Sequence, residues 1–243
     1  MLWLIAALGS ISFQNTFLES QRKYERVRVA IQEKKAIVEK TLQTSGITIA
    51  TLRLLIVAYK DEDILELYAR DLNSVSYTKI CTYSICARSG ELGYKKQAGD
   101  YQVPEGFYYI DRFNPKSNFY LSLGINYPNL ADKHRNNTQH LGGDIFIHGG
   151  CATIGCLPMT DSGIKEIYLY AILAKNNGQH NIPVYLFPFK MTEENFARYK
   201  EKYKNNPNLI SFWENLKHGY DSFQSKKQEI KYKFSNLGNY QYE

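Results

Sequence analysis

The sequence predicts an α+β fold built mainly of sheet, with an N-terminal helix and a C-terminal helical extension, and three observations carry that expectation. Across residues 52–147 the apolar side chains fall into short runs rich in Val, Ile, Tyr and Phe, divided by polar or glycine-bearing turns. On either side, apolar residues recur at helical spacing over residues 17–43, 161–175, 193–204 and 209–224. The 20 Tyr and 12 Phe suit half-buried sheet surfaces, where a ring packs and a hydroxyl tip stays polar.

The elements follow in chain order. In residues 17–43, Tyr24, Val27, Ile31, Val38 and Leu42 recur near a 3.6-residue period, and Gly46 supplies a stop. Residues 52–59 are apolar at nearly every position, as a strand covered on both faces requires. Asp61-Glu62-Asp63 turns the chain into a return strand over residues 64–69, and residues 75–86 form a third. Glycines at 90, 93 and 99 open a long loop. Short strands are expected at 107–110, 118–123, 144–147 and 182–189, with a helix at 161–175 closed by Gly178. The domain division expected is an apolar or signal segment at 1–16, a helix at 17–48, a main domain at 49–190 and an extension at 191–243.

Composition limits the function. With 243 residues, 44% apolar and 22% charged, the chain can bury a real core. A net charge of +6, with Lys and Arg scattered among Glu and Asp, lacks the basic stripe of a nucleic-acid binder. Residues 2–11 are nearly all apolar or small, and no charge precedes Glu19, which matches the apolar region of a secretory signal. Export is therefore expected, with membrane contact only through this segment. The cysteines, Cys81, Cys86, Cys151 and Cys156, permit two disulfides in an exported chain, yet a chain of this size does not need them, so a reactive thiol is a live alternative for at least one of them.

The densest chemistry lies at residues 144–158. An apolar strand ends in His148, Gly149-Gly150 lets the backbone turn, and Cys156 follows after Gly155. A thiol attacks a carbonyl as thiolate, and a nearby imidazole is the usual means of making one. Gly155 would let backbone amides face an oxyanion, and a helix starting near Asp161 would lower the thiol pKa. Three other readings stand beside this one. The pair is ordinary packing, Cys151 and Cys156 form a disulfide, or His148, Cys151, Cys156 and His140 hold a metal ion. The remaining histidines, His134, His180 and His218, as well as His140, read as surface residues.

At this point the residues resemble a known family. His148-Gly149, then Thr153-x-Gly155-Cys156, resembles the signature of the L,D-transpeptidase catalytic domain, the YkuD fold, and Gly99 through Tyr108 resembles a second block of it. Ser89-Gly90-x-Leu92-Gly93, Pro104-Glu105-Gly106-Phe107-Tyr108, Asn126-Tyr127-Pro128-Asn129 and Gly142-Gly143-Asp144-Ile145 are similar to the YafK-like murein branch. Ile154 stands where many members carry histidine, and Pro158 where others have Arg or Asn. The resemblance covers about residues 50 to 190.

It implies a cell-wall enzyme of the periplasm or envelope, without metal or organic cofactor, acting on peptidoglycan stem peptides in wall cross-linking, remodelling or cell shape. Cys156 would be the nucleophile, His148 the proton acceptor and donor, and Gly155 an oxyanion-hole amide. Thr153 and Gly149-Gly150 would hold the loop and imidazole, and Gly149, Gly150, Tyr127 and Arg88 would meet substrate. The resemblance also implies a Cys86–Cys151 disulfide, with Cys81 a small buried hydrophobe. Two alternatives remain: a same-fold amidase releasing a wall-linked peptide or lipoprotein, and a non-catalytic wall-binding or zinc-binding module.

Overall fold

The computed structural model describes residues 16–136 and 138–243. The apolar segment at 1–15 lies outside the described residues. Among those described, no helix is long and apolar enough to cross a membrane.

One eight-stranded sheet organises the chain. In chain order its strands are β1 (Leu52–Tyr59), β2 (Ile64–Asp71), β3 (Thr78–Ser84), β4 (Gly106–Asn114), β5 (Ser122–Ile125), β6 (Phe146–His148), β7 (Leu157–Pro158) and β8 (Pro183–Phe187). In space they run β3-β2-β1-β8-β4-β5-β6-β7. The β1–β8 and β6–β7 pairs are parallel and the others antiparallel.

The apolar run of β1, broken only by Arg53, has a direct cause: both faces of the strand are covered. Leu52, Leu54, Ile56 and Ala58 enter a core with α2 (Glu25–Thr44) and α4 (Asp161–Asn176). Leu55, Val57 and Tyr59 enter a second core with α6 (Pro207–Lys226), together with Tyr199 of α5 (Glu193–Lys202). The C-terminal extension is thus the second layer of the fold. Its anchor is Trp213, whose indole N–H donates to Glu105 Oε2 at 2.8 Å. The same carboxylate pairs with Lys60 Nζ at 2.9 Å in a buried ion pair.

The structure departs from the expected elements in four places. The first helix is two: α1 (Phe17–Arg22) ends and Tyr24 turns extended before α2, because Arg28 Nη1 takes the carbonyls of Arg22 and Lys23. The strand expected at 118–123 begins only at Ser122, since Tyr120 adopts φ +69°, which a strand cannot contain. A short helix, α3 (Leu130–Arg135), starts where Asn129 and Asp132 cap each other's backbone amides. Past α6, Tyr232–Phe234 and Tyr240–Tyr242 pair as a hairpin, β9 and β10. Its Tyr240 ring packs 4.6 Å from Phe107, and its hydroxyl accepts from Phe107 N.

Candidate active site

Strand β6 sits between β5 and β7, so its backbone is held from both sides. Ser122 is the register partner of His148 in β5, and Pro158 is its partner in β7. Carrying the parallel β6–β7 register back one residue places Cys156 beside Phe146. Alternate residues of a strand share a face, so Phe146, His148 and Cys156 face the same way. The amide of Phe146 donates to Cys156 Sγ at 3.4 Å, as that placement requires.

His148 is 2% exposed. Its Nδ1 lies 2.6 Å from the Gly149 carbonyl, which can only accept, so Nδ1 carries the proton and Nε2 keeps its lone pair. Burial holds the imidazole pKa below its ordinary value, against the raising effect of the Gly149 bond. The Phe119 ring lies 4.6 Å from the imidazole. His148 is therefore a neutral base, oriented by backbone and ring.

Cys156 is a free thiol. Sγ donates to Asp144 O at 3.5 Å. The expectation that a helix start lowers its pKa is corrected by the structure. Burial pushes the thiol up, with the Asp144 charge adding to it, and this outweighs the Phe146 amide and Lys95. The first turn of α4 is already occupied: Thr160 caps it, and Asp161 Oδ1 accepts from Gly150 N at 2.9 Å. Sγ thus starts as a thiol facing a neutral imidazole.

The loop between the two residues is organised by Thr153. Its Oγ1 accepts from Cys156 N at 2.8 Å and Gly155 N at 3.2 Å, and donates to Cys156 O at 2.9 Å. The amides expected to face an oxyanion are therefore bound within the loop. Gly149 is packed too closely for any side chain: a Cβ would lie 2.7 Å from both Phe119 O and Asp161 Oδ1. Gly155 has φ +131° and lets the loop lie against Gln102.

Cys86 and Cys151 form a disulfide that ties the segment after β3 to this loop. That removes two readings of the sequence. Cys151 does not bridge to Cys156, and it is not available as a thiolate ligand for metal beside His148 and His140. Cys81 is half-buried, 3.7 Å from the Tyr170 hydroxyl. His134, His140, His180 and His218 are exposed.

Two residues expected to meet substrate lie differently from that expectation. Tyr127 is 5% exposed, and its hydroxyl donates to Leu141 O, so it is a core residue rather than part of a cleft. Arg88 does line a cavity with Cys156, but its guanidinium is engaged by Asp63 and Asp61. Phe119 and Asp161 act directly on the His148 segment and were not singled out from sequence. Phe119 stood inside an expected strand, and Asp161 only marked the start of an expected helix.

Cys156 opens onto two cavities. One, of about 310 Å³, is shared with His148 and rimmed by Phe119 and Ile154. The other, of about 410 Å³, extends toward Arg88 and the end of α5 without His148. The sheet thus brings a free cysteine and a buried histidine to one cavity, with a second cavity on the same sulfur.

The chain belongs to the YkuD family, the L,D-transpeptidase catalytic domain, whose family model matches residues 53–186. It is 37% identical over 172 residues to the protein named "Putative L,D-transpeptidase YafK" in Escherichia coli (strain K12), and equally to that of Escherichia coli O157:H7. The match covers 70% of this chain and 66% of that protein's length, slightly under two thirds. Among solved structures, the helical cell shape determining protein Pgp2 from Campylobacter jejuni is 20% identical, with a TM-score of 0.45 over 76% of this chain and 73% of that one. Bd1075 of Bdellovibrio bacteriovorus is 21% identical, with a TM-score of 0.40 over 78% of this chain and 76% of that one.

Proposed function

We propose that this chain is an exported cysteine acyltransferase acting on peptidoglycan stem peptides. The observation that carries the reading is a free Cys156 thiol opening onto the same cavity as His148, whose Nε2 is the unprotonated nitrogen. Family membership supports the substrate class, a peptidoglycan stem peptide, and an envelope location.

The chemistry follows from the protonation states. Sγ attacks the carbonyl of the L-centre residue while its proton passes to His148 Nε2. The amide bond breaks as the leaving amine takes that proton, and a thioester remains on Cys156. An acceptor amine entering beside His148 loses its proton to Nε2 and attacks the thioester, and the departing sulfur is reprotonated. The oxyanion formed at each attack needs N–H donors. Gly155 N makes the longer of the two bonds to Thr153 Oγ1, so it is the amide a bound substrate draws away most readily. Water in the acceptor's place gives hydrolysis by the same parts.

The Cys86–Cys151 disulfide supports export, since such bridges persist in oxidising compartments. The test is incubation with a disaccharide-tetrapeptide, with and without an amine acceptor, followed by intact-protein and product mass analysis. An acyl adduct on wild type, absent in Cys156→Ala, with cross-linked product in the presence of amine, is expected. Turnover unchanged in Cys156→Ala would sink the reading, and D-alanine release without any cross-linked product would make the enzyme a hydrolase.

A further inference from the structure

The turn between β4 and β5 carries Phe119, whose ring lies 4.6 Å from the His148 imidazole. Phe119 is 47% exposed, so its place depends largely on the backbone that bears it. That backbone has an unusual shape. Tyr120 adopts φ +69°, a left-handed conformation that a non-glycine residue keeps only where its surroundings fix it. Within the turn, Ser117 is buried and its hydroxyl accepts from Phe119 N at 3.1 Å. The Phe119 carbonyl lies against Gly149, the residue whose own carbonyl binds His148 Nδ1.

The contacts that fix the turn come from the N-terminal helices. Arg26 of α2 donates from Nη1 to two carbonyls, those of Ser117 and Tyr120, the second at 2.8 Å. Its guanidinium carbon lies 5.5 Å from the Tyr120 ring centre. Lys165 Nζ of α4, itself paired with Glu33 of α2, lies 5.1 Å from the same ring. Nearby, Phe17 of α1 packs edge-on against Phe113 at 4.9 Å, and Lys116 rests 5.6 Å from the Tyr24 ring centre. Arg26 is solvent-exposed, so its contribution is geometry rather than a buried charge. One nitrogen ties together two carbonyls that flank Phe119 in the chain.

We infer that Arg26 is a positioning residue for His148, acting through the Phe119 turn. This rests on the acyl-transfer reading above, and it gives a part in that chemistry to helices outside the family-model span of residues 53–186. Without Arg26 the two carbonyls turn to water and Tyr120 relaxes out of the left-handed region, which carries the Phe119 ring off the imidazole. His148 then keeps only its Gly149 bond to set its orientation. Proton transfer from Cys156 Sγ depends on that orientation, so a loosened ring slows the chemical step without weakening substrate binding.

The experiment has one readout that needs no substrate. In the full chain, the ring current of Phe119 displaces the NMR signals of the His148 ring, and Phe119→Leu gives their position without it. In Arg26→Ala these signals are expected to move most of the way to that position. The rate of Cys156 acylation by a disaccharide-tetrapeptide is expected to fall roughly fivefold, the equivalent of one net hydrogen bond, with KM unchanged. Arg26→Lys keeps one nitrogen for the two carbonyls and is expected to recover part of both effects. Arg22→Ala removes an exposed cation of the same helical layer, one that pairs with Glu19 instead of the turn, and is expected to change neither. An equal change in Arg22→Ala overturns the inference, as does an unchanged rate when the Arg26→Ala signals have moved. If those signals stay in place while wild type forms the Cys156 adduct, the positioning role falls and acyl transfer stands. Moved signals with no adduct on wild type have the opposite consequence: Arg26 holds as the residue that orients His148, and acyl transfer falls.

Discussion

Cys156 and His148 open onto one cavity, but their resting hydrogen bonds lead away from each other. The sulfur is bonded to Phe146 N and Asp144 O, and the imidazole to Gly149 O. With the thiol pushed up and the imidazole held down by burial, the resting pair is neutral rather than a preformed thiolate–imidazolium.

The pH profile of acyl transfer should be broad. Protonating His148 removes the base, and because its pKa is lowered, activity should persist below pH 6.5 before falling. Alkylation of Cys156 by iodoacetamide should be slow near neutrality and rise with a midpoint above the ordinary thiol value. The same buried histidine affects stability. Between its lowered folded pKa and about 6.5, only the unfolded chain binds the proton, so stability is full above that window and falls as pH drops through it. His148→Gln should flatten that part of a urea-midpoint profile.

Thr153→Val should lower kcat by about tenfold or more, since it leaves two amides and a carbonyl without their common partner. Thr153→Ser keeps the hydroxyl and should recover most of the rate. Circular dichroism and the urea midpoint would show whether the loss is local to the loop.

Gly149→Ala should destabilise the fold by about 1–3 kcal/mol, because the new methyl meets the Phe119 carbonyl and the Asp161 carboxylate. Urea denaturation measures it. No destabilisation would mean that the Phe119 turn yields easily.

Replacing both Cys86 and Cys151 by serine should cost about 2–4 kcal/mol, given a bridge between residues 65 apart in sequence. Guanidinium unfolding of the oxidised wild type against the double variant tests this. The adduct-forming rate should fall too, since the bridge anchors the loop bearing Thr153 and Cys156.

Glu105→Ala should cost about 3–5 kcal/mol, as it strands Lys60 in a buried setting and frees the Trp213 indole. Glu105→Gln should cost less, and Trp213 fluorescence would report whether the C-terminal layer loosens first.

Much of this molecule was legible in residue order. The apolar run of β1, the Asp61–Asp63 turn, Gly46 and the α4 periodicity are local signals, and each element formed where its pattern lay. The site pair was legible because glycines and a strand end constrain His148 and Cys156 over a short stretch. The hairpin β9–β10 was missed although Tyr232, Phe234, Tyr240 and Tyr242 alternate around Gly238, because so short a signal gains meaning only from Phe107 beneath it.

The sequence by itself determined the α+β class, the covered central strand and the cysteine–histidine constellation, since periodicity and backbone freedom act over a few neighbouring residues. Only the tertiary structure decided that Cys151 bonds to Cys86, that Tyr127 is core, that the thiol is raised rather than lowered, and that Arg26 reaches the turn beside His148. Disulfide partners, burial and cavity walls come from segments far apart in the chain, and desolvation depends on everything packed around a group rather than on its neighbours in sequence.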